Sequence, residues 1–473
     1  MLFHTFTFWT FFAVVASLYA MLKHRGQNAL LLVAGYVFYG WWDWRFLILI
    51  ALSTVTDYLV GARIHCSTQE PARKRWLVVS LVFNIGLLAI FKYLGFAVAQ
   101  IGSLAHLLGY NGPWWVPQVI LPVGISFYTF QSLAYTIDLY RRRIQPARSL
   151  FDYATYVSFF PQLLAGPIER PAHLLGQVEN PREPLTDQCF SEGLYFVLTG
   201  LFRKVVIADH CALIADSVFM RPSAELSAWE VLVGVYAFAF QIYGDFSGYS
   251  SIAQGVAKWL GIDLMTNFKN PYFAENPSDF WKRWHVSLSS ALRDYIFMPL
   301  SFQRNTLFYN CRNLMITLLI GGLWHGASWT FVAWGALHGL WLCVETVWRR
   351  TSGATASKKS TGLVHLAKVL GCFHLVCLTW LLFRSRTIEQ AWSMFSRFGM
   401  DWRWTAFTAH ALGMIAMVAG PLMIFEAWVE RRGDLLALTR APVMVRALVY
   451  LAIMIALFYF APERSTEFIY FQF

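Results

Sequence analysis

Asn313-Leu-Met-Ile-Thr-Leu-Leu-Ile-Gly321-Gly322-Leu-Trp324-His325-Gly326-Ala-Ser-Trp-Thr-Phe-Val-Ala-Trp-Gly-Ala-Leu-His338-Gly-Leu-Trp-Leu-Cys-Val344 runs for 32 residues without an Asp, Glu, Lys or Arg. A bilayer-spanning helix needs only about 20 apolar residues, so the run is too long for one simple span and too uncharged for a loop. Its interruption at Gly321-Gly322-Leu323-Trp324-His325-Gly326 predicts a broken helix with an imidazole at the break. At ~1.5 Å per residue from Asn313 the ring lies roughly 18 Å in, close to the centre of a ~30 Å hydrocarbon layer. An ionisable ring flanked by glycines at that depth reads as a functional site; the alternative is a core histidine hydrogen-bonded to a neighbouring helix.

The surrounding chain supports a membrane reading. Its 473 residues are 57% hydrophobic and 14% charged, against about 25% charged in soluble domains. Apolar runs recur at Phe3–Leu22, Ala29–Trp42, Phe46–Gly61, Trp76–Gln100, Val119–Tyr140, Gly193–Ile207, Val231–Leu260, 313–344, Val369–Phe383, Ala406–Trp428 and Val443–Phe460. They predict an all-α, polytopic integral membrane bundle of about ten to twelve spans. We treat residues 1–473 as one membrane domain: N-terminal spans 1–170, a central segment 171–348, and C-terminal spans with an aromatic tail, 349–473. The central segment holds the unusual polar residues, so chemistry is expected there.

The net charge of +11 is a matter of topology. Ten basic residues (Lys23, Arg25, Arg63, Arg73, Lys74, Arg75, Arg141, Arg142, Arg143 and Arg148) follow the first, third and fifth runs, whereas the intervening turns hold only Arg45. The positive-inside rule then sets the N-terminus outside and the basic loops in the cytoplasm, and no nucleic-acid partner is implied. No Lys or Arg precedes the first apolar run, which reads as a retained helix rather than a cleaved signal peptide. The seven cysteines are scattered, with neither metal-ligand spacing nor the pattern of a disulfide framework, so no metal is expected.

A second histidine lies in Asn276-Pro-Ser-Asp-Phe-Trp-Lys-Arg-Trp-His285-Val-Ser-Leu-Ser-Ser-Ala-Leu-Arg-Asp-Tyr-Ile296. Asn276 followed by Pro277, with Asp279 in the first turn, signals a helix start. Trp281, Trp284, His285, Leu288, Leu292 and Ile296 then share one face of the predicted helix, with Lys282 and Arg283 off it. Such a helix would lie at the interface or dip into the bundle, with His285 inward and its cations facing headgroups or an anionic substrate.

Phe280-Trp-x-x-Trp-His285-x-Ser-Leu-Ser, followed 40 residues later by Trp324-His325-Gly326, resembles the paired-histidine signature of the membrane-bound O-acyltransferases. The likeness is to their bacterial cell-envelope branch, which includes the alginate O-acetylation and teichoic-acid D-alanylation subunits. It extends to Pro122-Val-Gly-Ile-Ser-Phe-Tyr128, Phe160-Pro-Gln-Leu-Leu-Ala-Gly-Pro167, Asp245-Phe-Ser-Gly-Tyr249, Asn267-Phe-Lys-Asn-Pro-Tyr272 and Trp334-Gly-Ala-Leu-His338-Gly339. The chain departs from the pattern at Ser251, at Ala291 and at Ser301-Phe302-Gln303 before Arg304.

The resemblance implies helices, some re-entrant or interfacial, around a central tunnel. It implies His325 as the catalytic histidine, His285 as an assisting one, and tryptophans 281, 284 and 324 as tunnel walls. An imidazole suits the task, since acyl transfer from a thioester to a hydroxyl needs a base that works near neutral pH. Asp245 is read as a buried polar pair or as a tuner of a catalytic ring, and His338 as structural. The tail Glu467-Phe-Ile-Tyr470-Phe-Gln-Phe473 is either an interfacial aromatic anchor or, as the resemblance implies, a segment whose Tyr470 carries the acyl group.

The expected function is O-acetylation of an exported polysaccharide, such as alginate or a cellulose-like polymer, from the bacterial inner membrane. The expected donor is acetyl-CoA or an acyl carrier, acetyl-CoA first, with no tightly bound cofactor. Expected partners are an outer-face acetyltransferase of the SGNH type, the polymer-export machinery and the lipid bilayer. The alternatives are the same fold acylating a lipid or protein hydroxyl, and a proton-coupled transporter, although the inverted halves of a transporter are not evident.

Overall fold

A computed structural model describes residues 1–164, 166–302, 306–353, 360–461 and 468–469, and every regular element among them is helical. The chain forms two compact units, Met1–Gly193 with Ala253–Met265, and Leu194–Ile252 with Thr266–Phe473.

The first unit contains α1 (Phe6–Met21), α2 (His24–Gly40), α3 (Leu47–Cys66), α4 (Glu70–Leu88), α5 (Leu94–Leu107), α6 (Ile125–Tyr140), α7 (Leu150–Val157), α8 (Phe160–Leu163) and α9 (Pro171–Glu179). Helices α3, α4 and α6 meet around a buried carboxylate. Asp57 accepts from Ser80 Oγ at 2.6 Å and from Asn84 Nδ2 at 3.0 and 2.9 Å. Ser53 donates to Asn84 Oδ1 at 2.9 Å, and Thr136 lies 3.0 Å from Ser80. A charge removed from water has to be surrounded by donors, and here one Asn and two Ser side chains provide them. The outward face of α4 is apolar, with Val78, Val79, Val82 and Ile85 exposed, as a lipid-facing surface should be.

The second unit contains α10 (Asp187–Leu201) from Leu194 on, α11 (Asp209–Phe219), α12 (Ala228–Trp259) as far as Ile252, α13 (Pro277–Arg283), α14 (Val286–Leu292), α15 (Met298–Ser301), α16 (Leu307–His325), α17 (Trp329–Thr351), α18 (Gly362–Arg384), α19 (Ile388–Ser396), α20 (Ala406–Arg432) and α21 (Val443–Tyr459). The uncharged run of 32 residues divides where the glycines predict. Helix α16 ends at His325, Gly326 is extended (φ −166°, ψ 157°), and Ser328 Oγ caps α17 by accepting from Thr330 N–H at 3.3 Å. The two helices then pack almost backbone to backbone. A Cβ on Gly322 would fall on the Phe331 carbonyl oxygen, and one on Gly335 on that of Leu318. Only glycine permits this approach.

The chain is an all-helical, multi-pass membrane protein. Among the described residues five helices are long and apolar enough to cross a bilayer: Trp44–Cys66, Glu70–Leu107, Trp329–Thr351, Gly362–Arg384 and Ala406–Arg432. Phe6–Met21 and Val443–Tyr459 are apolar but shorter. Other apolar runs are used differently. Val231–Leu260 lies in α12 up to Trp259, and the buried side chains of that helix include Glu230, Gln241, Asp245, Ser247 and Ser250. Gly193–Ile207 passes from α10 into a π-helical segment, Phe202–Ala208, that carries the buried Lys204.

Candidate active site

Asn276 Oδ1 accepts from Asp279 N–H at 2.9 Å and starts α13, with Pro277 in its first turn, as the sequence predicts. The continuous helix expected from Asn276 to Ile296 does not form. Helix α13 ends at Arg283, Trp284 is extended, and His285 adopts the left-handed conformation (φ 43°, ψ 54°) before α14 begins at Val286. Tertiary hydrogen bonding overrides the helical spacing of the apolar residues. Segment 267–269 runs beside the break, where Lys269 N–H donates to Arg283 O and Val286 N–H to Asn267 O, both at 2.9 Å. A left-handed histidine is strained unless its surroundings hold it, and such strain gathers at functional sites.

The same segment fixes the imidazole. His285 is fully buried, and its Nδ1–H donates to Asn267 Oδ1 at 3.0 Å. Ser287 Oγ donates to that oxygen at 2.9 Å, and Asn267 Nδ2 donates to Ser250 Oγ at 3.1 Å, which sets the direction of the amide. With the proton on Nδ1, Nε2 keeps its lone pair, and no hydrogen bond from the described residues engages that buried atom. A neutral imidazole with an open Nε2 is a proton acceptor.

The rings around it form an aromatic box. Phe246 meets His285 edge-on at 4.6 Å between centroids, and Trp324 lies 5.8 Å away. Trp324 also lies 5.1 Å from His325, so one indole neighbours both imidazoles. Trp334 at 5.0 Å and Phe383 at 5.2 Å also flank the His325 ring. The structure thus gathers His285 and His325 from two broken helices, 40 residues apart, around Trp324. Trp281 and Trp284 are buried alongside.

Tyr470 lies outside the described residues. His338 packs on Trp334 at 4.7 Å and donates from Nε2 to Thr379 Oγ1 at 3.1 Å, whose hydroxyl donates on to Val376 O. Asp245 bonds to Lys204 and to the Ile469 backbone N–H. Arg283 corrects a further expectation. Instead of reaching outward it joins Asp279 at 3.0 Å and Glu430 at 2.9 Å, tying α13 to α20, while Lys282 stays exposed. Of the departures from the pattern, Ser251 accepts from Arg203 at 3.1 Å and Ala291 is buried; Gln303 and Arg304 lie outside the described residues.

A cavity of about 400 Å³ opens beside α13, α14, α16 and α17. Trp281, Leu292 and Leu318 give it apolar walls, and Lys282, Arg293 and Arg349 line it with cations, Arg293 paired with Asp294 and Arg349 with Glu345. This combination suits a ligand with an apolar arm and an anionic head. Among the described residues no group of three or more His, Cys, Asp and Glu side chains could share a metal ion.

The sequence named Asn267 only as part of a motif. Its role in holding His285, with those of Ser250 and Ser287, comes from the fold. The His285-x-Ser287 spacing was the one local sign of it.

Residues 141–383, more than half the chain, match the family model described as MBOAT, membrane-bound O-acyltransferase family. The chain belongs to that family. It is 37% identical over 416 residues to a protein of Pseudomonas aeruginosa named probable alginate O-acetylase AlgI, covering 88% of this chain and 78% of that one. It is 36% identical over 404 residues to the peptidoglycan O-acetyltransferase of Helicobacter pylori, covering 79% and 75%. The teichoic acid D-alanyltransferase of Streptococcus thermophilus is 29% identical over 286 residues, covering 55% and 68%. As a member of this family the chain is a membrane O-acyltransferase, and its paired histidines lie inside the matched region.

Proposed function

We propose that the chain takes an acetyl group from acetyl-CoA on the cytoplasmic side of the bacterial inner membrane and supplies it for O-acetylation of an exported polysaccharide, such as alginate or a cellulose-like polymer. His325 is the catalytic histidine in this reading and His285 assists it. The supporting observation is the paired-imidazole site, in which Asn267 holds the His285 proton on Nδ1 and leaves Nε2 open. A hydroxyl oxygen adds to the acetyl carbonyl while an imidazole nitrogen takes the hydroxyl proton. The thiolate then leaves and takes a proton back as the ester forms. In this reading the cavity beside α13 and α14 would receive the donor, its apolar walls taking the pantetheine arm and Lys282 a phosphate. Two of the relatives are named for O-acetylation of alginate and of peptidoglycan, which favours acetyl as the group and an envelope polymer as its destination.

The first acceptor in this reading is Tyr470, whose phenyl ester is more reactive than a sugar ester and is passed on by an outer-face SGNH-type partner. Tyr470→Phe keeps the ring and its anchoring but removes the nucleophile. Polymer acetylation should be lost in the variant at unchanged membrane abundance; full acetylation would leave the tail with no carrier role.

A further inference from the structure

Phe468 and Ile469 are buried, at 0% and 1% exposure. Segments beyond a last helix usually fray unless something ties them down. Here the tie is a buried charge cluster. Lys204 Nζ lies 2.9 Å from Asp209 Oδ1 and 2.9 Å from Asp245 Oδ1. Asp245 Oδ2 accepts the Ile469 backbone N–H at 2.6 Å. One ammonium thus serves two carboxylates, and the second oxygen of Asp245 is satisfied by the tail.

The aromatic side of the same contact leads to the active site. The Phe468 ring lies 4.5 Å from Tyr249 and 6.2 Å from Phe246, and Phe246 is the ring set edge-on against His285 at 4.6 Å. Lys204 also sits over the Tyr249 ring at 5.9 Å. Asp245, Phe246 and Tyr249 are on one helix, α12, so a single surface holds the tail backbone, its phenyl ring and the wall of the imidazole box.

We propose that Lys204, Asp209 and Asp245 form a docking clamp for the chain's own C-terminal segment. Asp245 is the positioning residue that seats Phe468 and Ile469 against the aromatic wall of His285. The clamp grips a main-chain N–H, so it fixes where the segment lies whatever its side chains do. The proposal is independent of any acyl-carrier role for Tyr470, because its test needs no turnover.

The test is hydrogen–deuterium exchange of the full chain in detergent or nanodiscs, read at the Ile469 amide. In the native protein the amide should exchange at least a hundredfold more slowly than in the free peptide of the same sequence. Asp245→Asn should speed it at least tenfold, with the α16 and α17 peptides as protected as before. Exchange at the free-peptide rate in the native protein overturns the proposal without any variant. Unchanged protection in a folded Asp245→Asn protein overturns it as well.

Discussion

Replacing Asn267 by Ala removes the closest acceptor of the His285 Nδ1 proton and leaves it facing Ser287 Oγ at 3.4 Å. Asn267 Oδ1 accepts from His285 Nδ1 at 3.0 Å and from Ser287 Oγ at 2.9 Å, and its Nδ2 donates to Ser250. The variant leaves the ring N–H with a long, weak contact to Ser287 inside a site with no exposure. An unsatisfied buried donor costs about 1–3 kcal/mol, which the ring escapes by rotating or by moving its proton to Nε2. Either response withdraws the acceptor nitrogen. If ~1.4–2.7 kcal/mol of that orientation is realised in the transition state, the rate falls about 10- to 100-fold. Asn267→Asp is the control, because it keeps an acceptor for Nδ1, although it gives up the donation to Ser250 and adds a buried negative charge. It should retain activity within about tenfold of the native protein.

The assay is the initial rate of acetyl-ester appearance on exported polymer, divided by the amount of inserted protein. His285→Ala provides the floor, and should fall strongly while keeping a residue of activity. A native rate in correctly inserted Asn267→Ala would refute the claim that this amide orients the imidazole. An Asp variant as inactive as the Ala variant would refute the claim that the acceptor is what matters.

Gly322→Ala gains about 1 kcal/mol of helix propensity but drives a Cβ into the Phe331 carbonyl, and overpacking of this kind costs about 1–3 kcal/mol. Backbone cannot rotate away as a side chain can, so the clash should win and the thermal midpoint in detergent should fall; an unchanged or raised midpoint would contradict the close packing of α16 and α17. Topology follows from the ten-to-one basic asymmetry. In a chain stripped of its native cysteines, Asn111→Cys should react with an impermeant thiol reagent in intact spheroplasts and Gln145→Cys should not, and the opposite pattern would reverse the orientation. Both positions are exposed, so access is set by the membrane rather than by burial.

The break at His325 was legible because it is local: two glycines and an imidazole interrupt an uncharged run, and α16 stops there. The left-handed His285 was not. The spacing of Trp281, Trp284, Leu288 and Leu292 fits a helix, and what overrides it is pairing with 267–269, an irregular segment that carries no periodic signal. Asn267 is 18 residues from His285 and resembles any loop amide until the fold brings the two together. Arg283 read as an outward cation because its partner Glu430 lies 147 residues away. Asp245 stood out as a carboxylate in an apolar run. Its partner could not be named, since Lys204 lies within another run that reads as a span and only the π-helical segment there shows how it is used.

The central claim is that the paired-histidine site performs the acyl transfer, and the acetyl-ester content of exported polymer from cells carrying His325→Ala tests it most directly. His325 touches Trp324, Trp334 and Phe383, so the comparison requires a variant matched to the native chain in membrane abundance and thermal stability. Polymer from such cells should carry no more acetyl ester than polymer from cells lacking the chain. Native ester content at matched abundance would contradict the assignment of the site.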